Sequence, residues 1–396
     1  MTYTEQKSQF YNIEKRNSAT KNKLENSKIS KKNKELILKF IDSCYAQGIG
    51  KLRIGKYLSM MRIIAEGLNK DFDKIKKDDL VNYLAKLEQS KYSENTKKDY
   101  KVGIKRFFKW MNGDTEYPEM VRWIKANVKH SNQKIPDDLL SENDIKNIVS
   151  SAFNTRDKAI LFTLYESGAR IGEIANLKVR DVTYDDIGTQ IIVDGKTGMR
   201  KIRLISSEMY IKNYLNESKH SDNPNSPLWL KMDGVPMTYS SIAKVLRVTV
   251  ERAGIKKKVT PHLFRHSRAS YLAKYLTESQ LCQFLGWEQG SNMPRVYVHL
   301  SGRDIDSTIL SLYGKKKIEE NKEKSILGPV DCPRCKEKNE PTAIFCKKCG
   351  SPLSIKTAME LEEKRKGDDS IMNKLFEDDD IKKLITQKLK LMNSKE

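Results

Sequence analysis

Four of the six cysteines fall within eighteen residues: Cys332-Pro-Arg-Cys335, ten intervening residues, then Cys346-Lys-Lys-Cys349-Gly350. Two Cys-x-x-Cys knuckles at this separation suit a tetrahedral Zn²⁺ held by four thiolates. Such a centre is closed to water, so it would fold a small ribbon and take no part in catalysis. The competing chemistry, a disulfide or a redox pair, needs an oxidising compartment. The opening MTYTEQKSQFYNIEKR has no apolar stretch of the signal-peptide kind, which favours zinc. Cys44 and Cys282 lie in apolar periodic stretches and read as core thiols.

A second constellation is spread more widely. Tyr165-Glu166-Ser167-Gly168-Ala169-Arg170-Ile171-Gly172-Glu173 joins two helices through a small-residue turn. Thr260-Pro261-His262-Leu263-Phe264-Arg265-His266 opens another helix, with Thr as N-cap and Pro at its first position. His262 and Arg265 then share one face of the first turn, while His266 reads as a capping or core histidine. Downstream, Leu285-Gly286-Trp287 precedes Met293-Pro294-Arg295-Val296-Tyr297-Val298-His299-Leu300. On these segments, residues 28–314 resemble the tyrosine recombinases, the phage-integrase and Xer-type family. The family's ordered Arg, Lys, His, Arg, His or Trp, and Tyr fall on Arg170, Lys196, His262, Arg265, Trp287 and Tyr297. A ribbon following Tyr297-x-His299-Leu300-Ser301-Gly302-Arg303-Asp304 further resembles archaeal members, cellular or viral.

The resemblance implies a definite chemistry. Tyr297 attacks a DNA phosphodiester, forms a 3′-phosphotyrosine and expels a 5′-hydroxyl. Arg170 and Arg265 offer planar cationic forks to the non-bridging oxygens, and the donor-only indole of Trp287 binds an oxygen without protonating it. His262 relays the proton of Tyr297, Lys196 on a mobile hairpin tip protonates the departing oxygen, and Glu173 orients Arg170. No cofactor is implied for catalysis. Arg200 and Lys201 lie near enough to be rivals for the lysine role. The interval from Trp287 to Tyr297 is one residue longer than the commonest family form, which leaves Tyr313 as the rival nucleophile.

The elements that must position these groups are mainly α with a small antiparallel β-sheet, an α+β chain. Residues 1–28 read as a basic arm, flexible or partly helical, and residues 29–113 as a helical core-binding domain that clamps DNA. In that domain Leu36, Ile37, Phe40, Ile41 and Cys44 recur at helical spacing, a helix covers Asp79–Gln89, and another follows Ser93. The outer face of that last helix carries Lys97, Lys98, Lys101, Lys105 and Arg106, the candidate DNA contacts. Residues 114–136 form a linker, 137–314 the catalytic domain, 315–329 a second linker, 330–354 the zinc ribbon and 355–396 a helical tail. Ser141-Glu142-Asn143-Asp144 reads as a helix cap. Two strands, Gln190–Val193 and Lys201–Ile205, flank Asp194-Gly195-Lys196-Thr197-Gly198.

Charge narrows the function classes. Lys and Arg number 74 against 52 Asp and Glu, a net +22 over 396 residues. Residues 355–396 carry ten basic and ten acidic side chains, so the excess lies wholly in 1–354. An excess of this size points to a polyanion, with duplex DNA ahead of an anionic membrane surface. No stretch approaches the roughly 20 apolar residues of a membrane span. The expectation is a cytoplasmic, site-specific recombinase or integrase acting as a homo-tetramer on duplex DNA. A type IB-like topoisomerase and a non-catalytic DNA-binding protein with a degenerate core are the alternatives.

Overall fold

The computed structural model describes residues 10–127, 139–298, 313–314 and 325–393. The first body is helical: α1 (Ile13–Glu25), α2 (Lys31–Ala46), α3 (Lys51–Leu68), α4 (Lys77–Gln89), α5 (Glu94–Met111) and the short α6 (Glu119–Arg122). Ser30 and Ser93 cap α2 and α5, each hydroxyl accepting a backbone N–H three residues on. The core of this body is aromatic. Phe40, Phe72, Phe107 and Phe108 are all buried and meet at ring separations of 4.5 to 6.2 Å.

Two segments expected to be peripheral contribute to cores. Helix α1 packs on α3, and Leu24 at its end is buried with the first body. Just before α1, Phe10 is buried in the second body, with Tyr11 against Tyr239 at 5.4 Å. Within 114–136, Val121 and Ile124 are buried in the first body, so the chain there is packed rather than a free linker. Residues 128–138 lie outside the described residues.

The cationic face expected on α5 is mostly hydrogen-bonded within this body. Lys97 is only 9% exposed and donates to the Glu88 carbonyl (2.8 Å) and Glu94 Oε1 (3.0 Å). Lys101 pairs with Glu88 at 2.6 Å, Lys105 donates to the Ile124 carbonyl, and Arg106 donates to Gln47 Oε1. Helix α5 is packed against α3, α4 and α6, so its long cations reach neighbouring acceptors instead of solvent. Of these five, Lys98 alone is exposed with no partner among the described residues.

The second body contains α7 (Glu142–Ser150), α8 (Thr155–Ser167), α9 (Ile171–Ala175), α10 (Ser207–Glu217), α11 (Tyr239–Arg252), α12 (Pro261–Leu272), α13 (Glu278–Leu285) and α14 (Met293–Val298). Helix α8 runs through its centre, buried on every side from Ala159 to Ser167. A charge sits on this helix, yet Glu166 is satisfied: its carboxylate accepts the backbone N–H groups of Ile205, Ser206 and Ser207, so it caps α10. One antiparallel sheet, β1 (Val182–Asp185), β2 (Gly188–Gly195) and β3 (Gly198–Leu204), stands in the order β1-β2-β3. Strand β1 has no strong sequence pattern and exists through its pairing of Val182 to Ile191. The β2–β3 hairpin closes on Gly195 opposite Gly198, leaving Lys196 and Thr197 as its turn.

Residues 325–327 dock back on this body: Ser325 Oγ donates to Glu142 Oε1 at 2.5 Å and Leu327 is buried in its core. Strands β4 (Val330–Asp331) and β5 (Lys338–Asn339) then begin the ribbon, which is tied to α10 through Tyr210 and Thr342 (2.7 Å) and through Asn213 and Glu340. Helices α15 (Ile355–Glu377) and α16 (Asp379–Asn393) follow, and α15 buries no residue.

Candidate active site

Two helix ends build the cationic floor. Helix α8 ends at Gly168, whose φ of 56° is the left-handed conformation glycine adopts without cost. Helix α13 ends at Gly286 in the same way, with φ 64°. Their terminal carbonyls, with no partner left inside the helix, face the guanidinium groups. Arg265, one turn into α12, donates Nη1 to the Gly168 carbonyl and Nη2 to the Leu285 carbonyl, both at 2.7 Å. Arg170, the N-cap of α9, donates Nη2 to the Gly286 carbonyl at 3.3 Å. Burial, then the charge of Arg170, brings Arg265 down to about 10, so it stays protonated at neutral pH.

Glu173 joins the arginines. It is 3% exposed and receives Arg170 Nη1 at 2.9 Å on one oxygen and Arg200 Nη2 at 2.8 Å on the other. Burial pushes this carboxyl up, but the Arg200 and Arg170 contacts outweigh it and hold it below the usual range. Arg200 also donates Nε to the Phe284 carbonyl (3.0 Å) and is nearly buried, so it is no rival to Lys196 but a strut beneath Glu173. Gly195 lets the hairpin in: a Cβ there would meet Glu173 Oε1 at 2.3 Å. Glu173→Gln should remove the charge between two cations and leave Arg200 without a counter-charge, costing about 3 kcal/mol or more. Thermal unfolding checks this. Because the folded carboxyl is lowered, its contribution is present above the ordinary range near pH 4.5 and is lost as pH falls through the lowered value. The gap between Glu173→Gln and the native chain should therefore close in acid.

The hairpin tip touches the end of α13, where Thr197 Oγ1 donates to the Gly286 carbonyl at 3.3 Å. Lys196, between that anchor and Gly195, is exposed and has no partner among the described residues. Lys201 is exposed on β3, where it lies opposite Ile192. Trp287 stacks on Tyr297 at 5.4 Å and 13°, with the Arg265 guanidinium 5.4 Å from the indole. Tyr297, on α14, is 2% exposed, and burial pushes its phenol up to about 12. Tyr313 is 77% exposed, and the residues on either side of 313–314 lie outside the described residues.

The two histidines of α12 stand differently toward Tyr297. His266 Nδ1 is hydrogen-bonded to the Tyr297 hydroxyl, with ring centroids 5.9 Å apart. His262, expected at that oxygen, is exposed one turn earlier on α12, beside Arg265 and Arg170. The sequence did hold a signal, because positions four apart share a helix face.

The cysteines converge as their spacing requires. The four Sγ atoms of Cys332, Cys335, Cys346 and Cys349 lie within 4.8 Å of one another, with two pairs at 3.6 Å. Sulfurs on a tetrahedral Zn²⁺ at 2.3 Å bonds are about 3.8 Å apart, so the set fits. Asn339, almost fully buried, links the knuckles by accepting from Lys347 N–H and donating to the Glu337 carbonyl.

Residues 138–303 match the phage integrase family. The chain is 29% identical over 238 residues to tyrosine recombinase XerA of Pyrococcus horikoshii, 58% of this chain and 78% of that protein. To tyrosine recombinase XerH of Campylobacter jejuni it is 23% identical over 295 residues, 70% and 82% of the two chains. The fold is shared with XerH site-specific recombinase bound to palindromic difH substrate in a post-cleavage complex: TM-score 0.55, 19% identity, 76% of this chain and 95% of that one. It is shared too with a lambda integrase tetramer bound to a Holliday junction: TM-score 0.51, 16% identity, 68% and 78%.

Proposed function

We propose that this chain, whose residues 138–303 match the phage integrase family, is a site-specific DNA recombinase, or integrase, that cuts and rejoins strands through a 3′-phosphotyrosine. The observation that carries the reading is the convergence of Arg170, Arg265, Trp287 and Tyr297 around two helix ends, with Lys196 on the adjoining hairpin. Tyr297 Oη forms a bond to phosphorus, the bond to the 5′-oxygen breaks, and Lys196 protonates the oxygen that leaves. Arg170 and Arg265 are fixed by helix-end carbonyls before DNA arrives, so their remaining N–H groups meet the non-bridging oxygens without reorganising. Their permanent charge supplies electrophilic stabilisation, and the indole of Trp287 donates to one oxygen.

The substrate is duplex DNA carrying a recombination site, held between the two bodies, and the working assembly is a homo-tetramer on two sites. The net +22 supports a polyanion partner. Cys332, Cys335, Cys346 and Cys349 would hold a structural Zn²⁺ that folds the ribbon against α10. No helix among the described residues is long and apolar enough to cross a membrane, and we place the activity in the cytoplasm.

The test offers the full chain a pool of nicked random duplexes, in which the cut end diffuses away and traps the covalent complex. Capture of a defined subset is the expected result. A supercoiled plasmid lacking that subset should be relaxed poorly. Efficient relaxation of any plasmid would favour a type IB-like topoisomerase, and binding with no capture would favour a degenerate DNA-binding core.

A further inference from the structure

We propose that His266 is the group that takes the proton from the Tyr297 hydroxyl as its oxygen attacks phosphorus, and that returns it when the strands are rejoined. The assignment rests on the recombinase reading above and names a residue that the family's ordered set of six does not include.

Among the described residues, the surroundings of the phenol leave few acceptors. Tyr297 is 2% exposed, so bulk water does not reach it freely. Trp287, stacked on its ring, and Arg265, beside that indole, are donors only. His266 Nδ1 already shares a hydrogen bond with the hydroxyl oxygen, and its ring lies within 30° of parallel to the phenol. His262 makes no hydrogen bond to Tyr297 and opens toward solvent.

The role requires the tautomer with the proton on Nε2, leaving the Nδ1 lone pair for the phenol. It also requires a neutral ring at rest. Among the described residues, the titratable and charged groups facing His266 are His262 and Arg265 on its own helix and Tyr297 from α14. Burial, then His262 and the Arg265 guanidinium, lowers the imidazole from its ordinary value, so the neutral form predominates at pH 7. In cleavage the Oη–phosphorus bond forms, the phenolic proton moves to Nδ1, and the phosphorus–O5′ bond breaks as Lys196 gives a proton to that oxygen. The resulting imidazolium sits beside the newly formed phosphodiester anion. Rejoining runs the same transfers backwards, so nothing else is consumed.

The test measures single-turnover adduct formation against pH, using the nicked duplexes that the native chain captures from the random pool. A base that is neutral at rest gives a native rate that is flat above pH 7 and falls in acid as the imidazole protonates. His266→Asn keeps a polar atom near the hydroxyl but cannot take its proton. It should be slower by about 10² to 10⁴-fold. Its rate should rise about tenfold per pH unit from 7 to 9, because the phenol must now ionise on its own. His262→Asn should keep the flat profile. In His266→Ala, added imidazole should restore cleavage in proportion to its concentration.

A flat profile for His266→Asn, a tenfold-per-unit slope for His262→Asn, or no response of DNA-binding His266→Ala to imidazole would each overturn the assignment. A native chain that captures no duplex overturns the recombinase reading itself. One that captures DNA while His266→Asn stays flat overturns this inference alone.

Discussion

Tyr297→Phe binds captured duplexes with native affinity and forms no covalent adduct: this is the largest loss expected from one atom in the chain. The ring remains, so its stacking on Trp287 and its place in the core are kept. What disappears is the oxygen that would bond to phosphorus, together with one hydrogen bond to His266. That bond is worth about 1 kcal/mol to folding, too little to unfold a chain of this size. Affinity is unchanged because phosphate contacts come from the cations, none of which is altered. Gel shift and denaturing electrophoresis of the same samples separate the two readouts. An adduct that survives Tyr297→Phe and vanishes with Tyr313→Phe would move the nucleophile to Tyr313.

Lys196→Ala should be almost as damaging, and selectively repairable. If Lys196 delivers the proton to the 5′-oxygen, its absence leaves an alkoxide to depart unaided, a cost of about 10² to 10⁴-fold. Replacing the bridging 5′-oxygen by sulfur makes the leaving group a thiolate, whose conjugate acid has a pKa near 8.5 and needs little protonation. Lys196→Ala should then cleave the sulfur-substituted duplex at close to the native rate. Arg265→Ala should not be rescued, since it acts on non-bridging oxygens that the sulfur leaves unchanged. A Lys196→Ala chain equally slow on both substrates would make the lysine a binding residue. No defect on either would turn attention to Lys201, the exposed lysine on β3.

Local signals in the sequence translated well into structure. Ser141 and Asp144 exchange the reciprocal cap bonds that their spacing predicts, and Thr260 caps α12 before Pro261. The zinc-type cysteines converge, and Arg170, Arg265, Trp287 and Tyr297 meet. What stayed hidden depends on contacts between distant segments. His266 and Tyr297 are 31 residues apart, and the face that His266 shares with His262 does not say which of the two meets the phenol. Arg200 looks like one more hairpin cation until the hairpin docks and Glu173 receives it across 27 residues. The ion pairs of α5 were hidden for the same reason: helical periodicity places Lys97 and Lys101 outside that helix's own core, but not outside the reach of Glu88 on α4. Phe10 precedes α1 in a Lys- and Asn-rich stretch, and only the pocket it fills makes it a core residue.

A covalent bond between Tyr297 and a 3′-phosphate is expected in the trapped complex, and peptide mapping reads it. After nuclease and protease digestion, mass spectrometry should find one peptide heavier by a nucleotide 3′-phosphate. Fragmentation should place that mass on Tyr297, and the released strand should carry a free 5′-hydroxyl. The added mass on Tyr313, a 5′-phosphate linkage, or an adduct on any other residue would contradict the account.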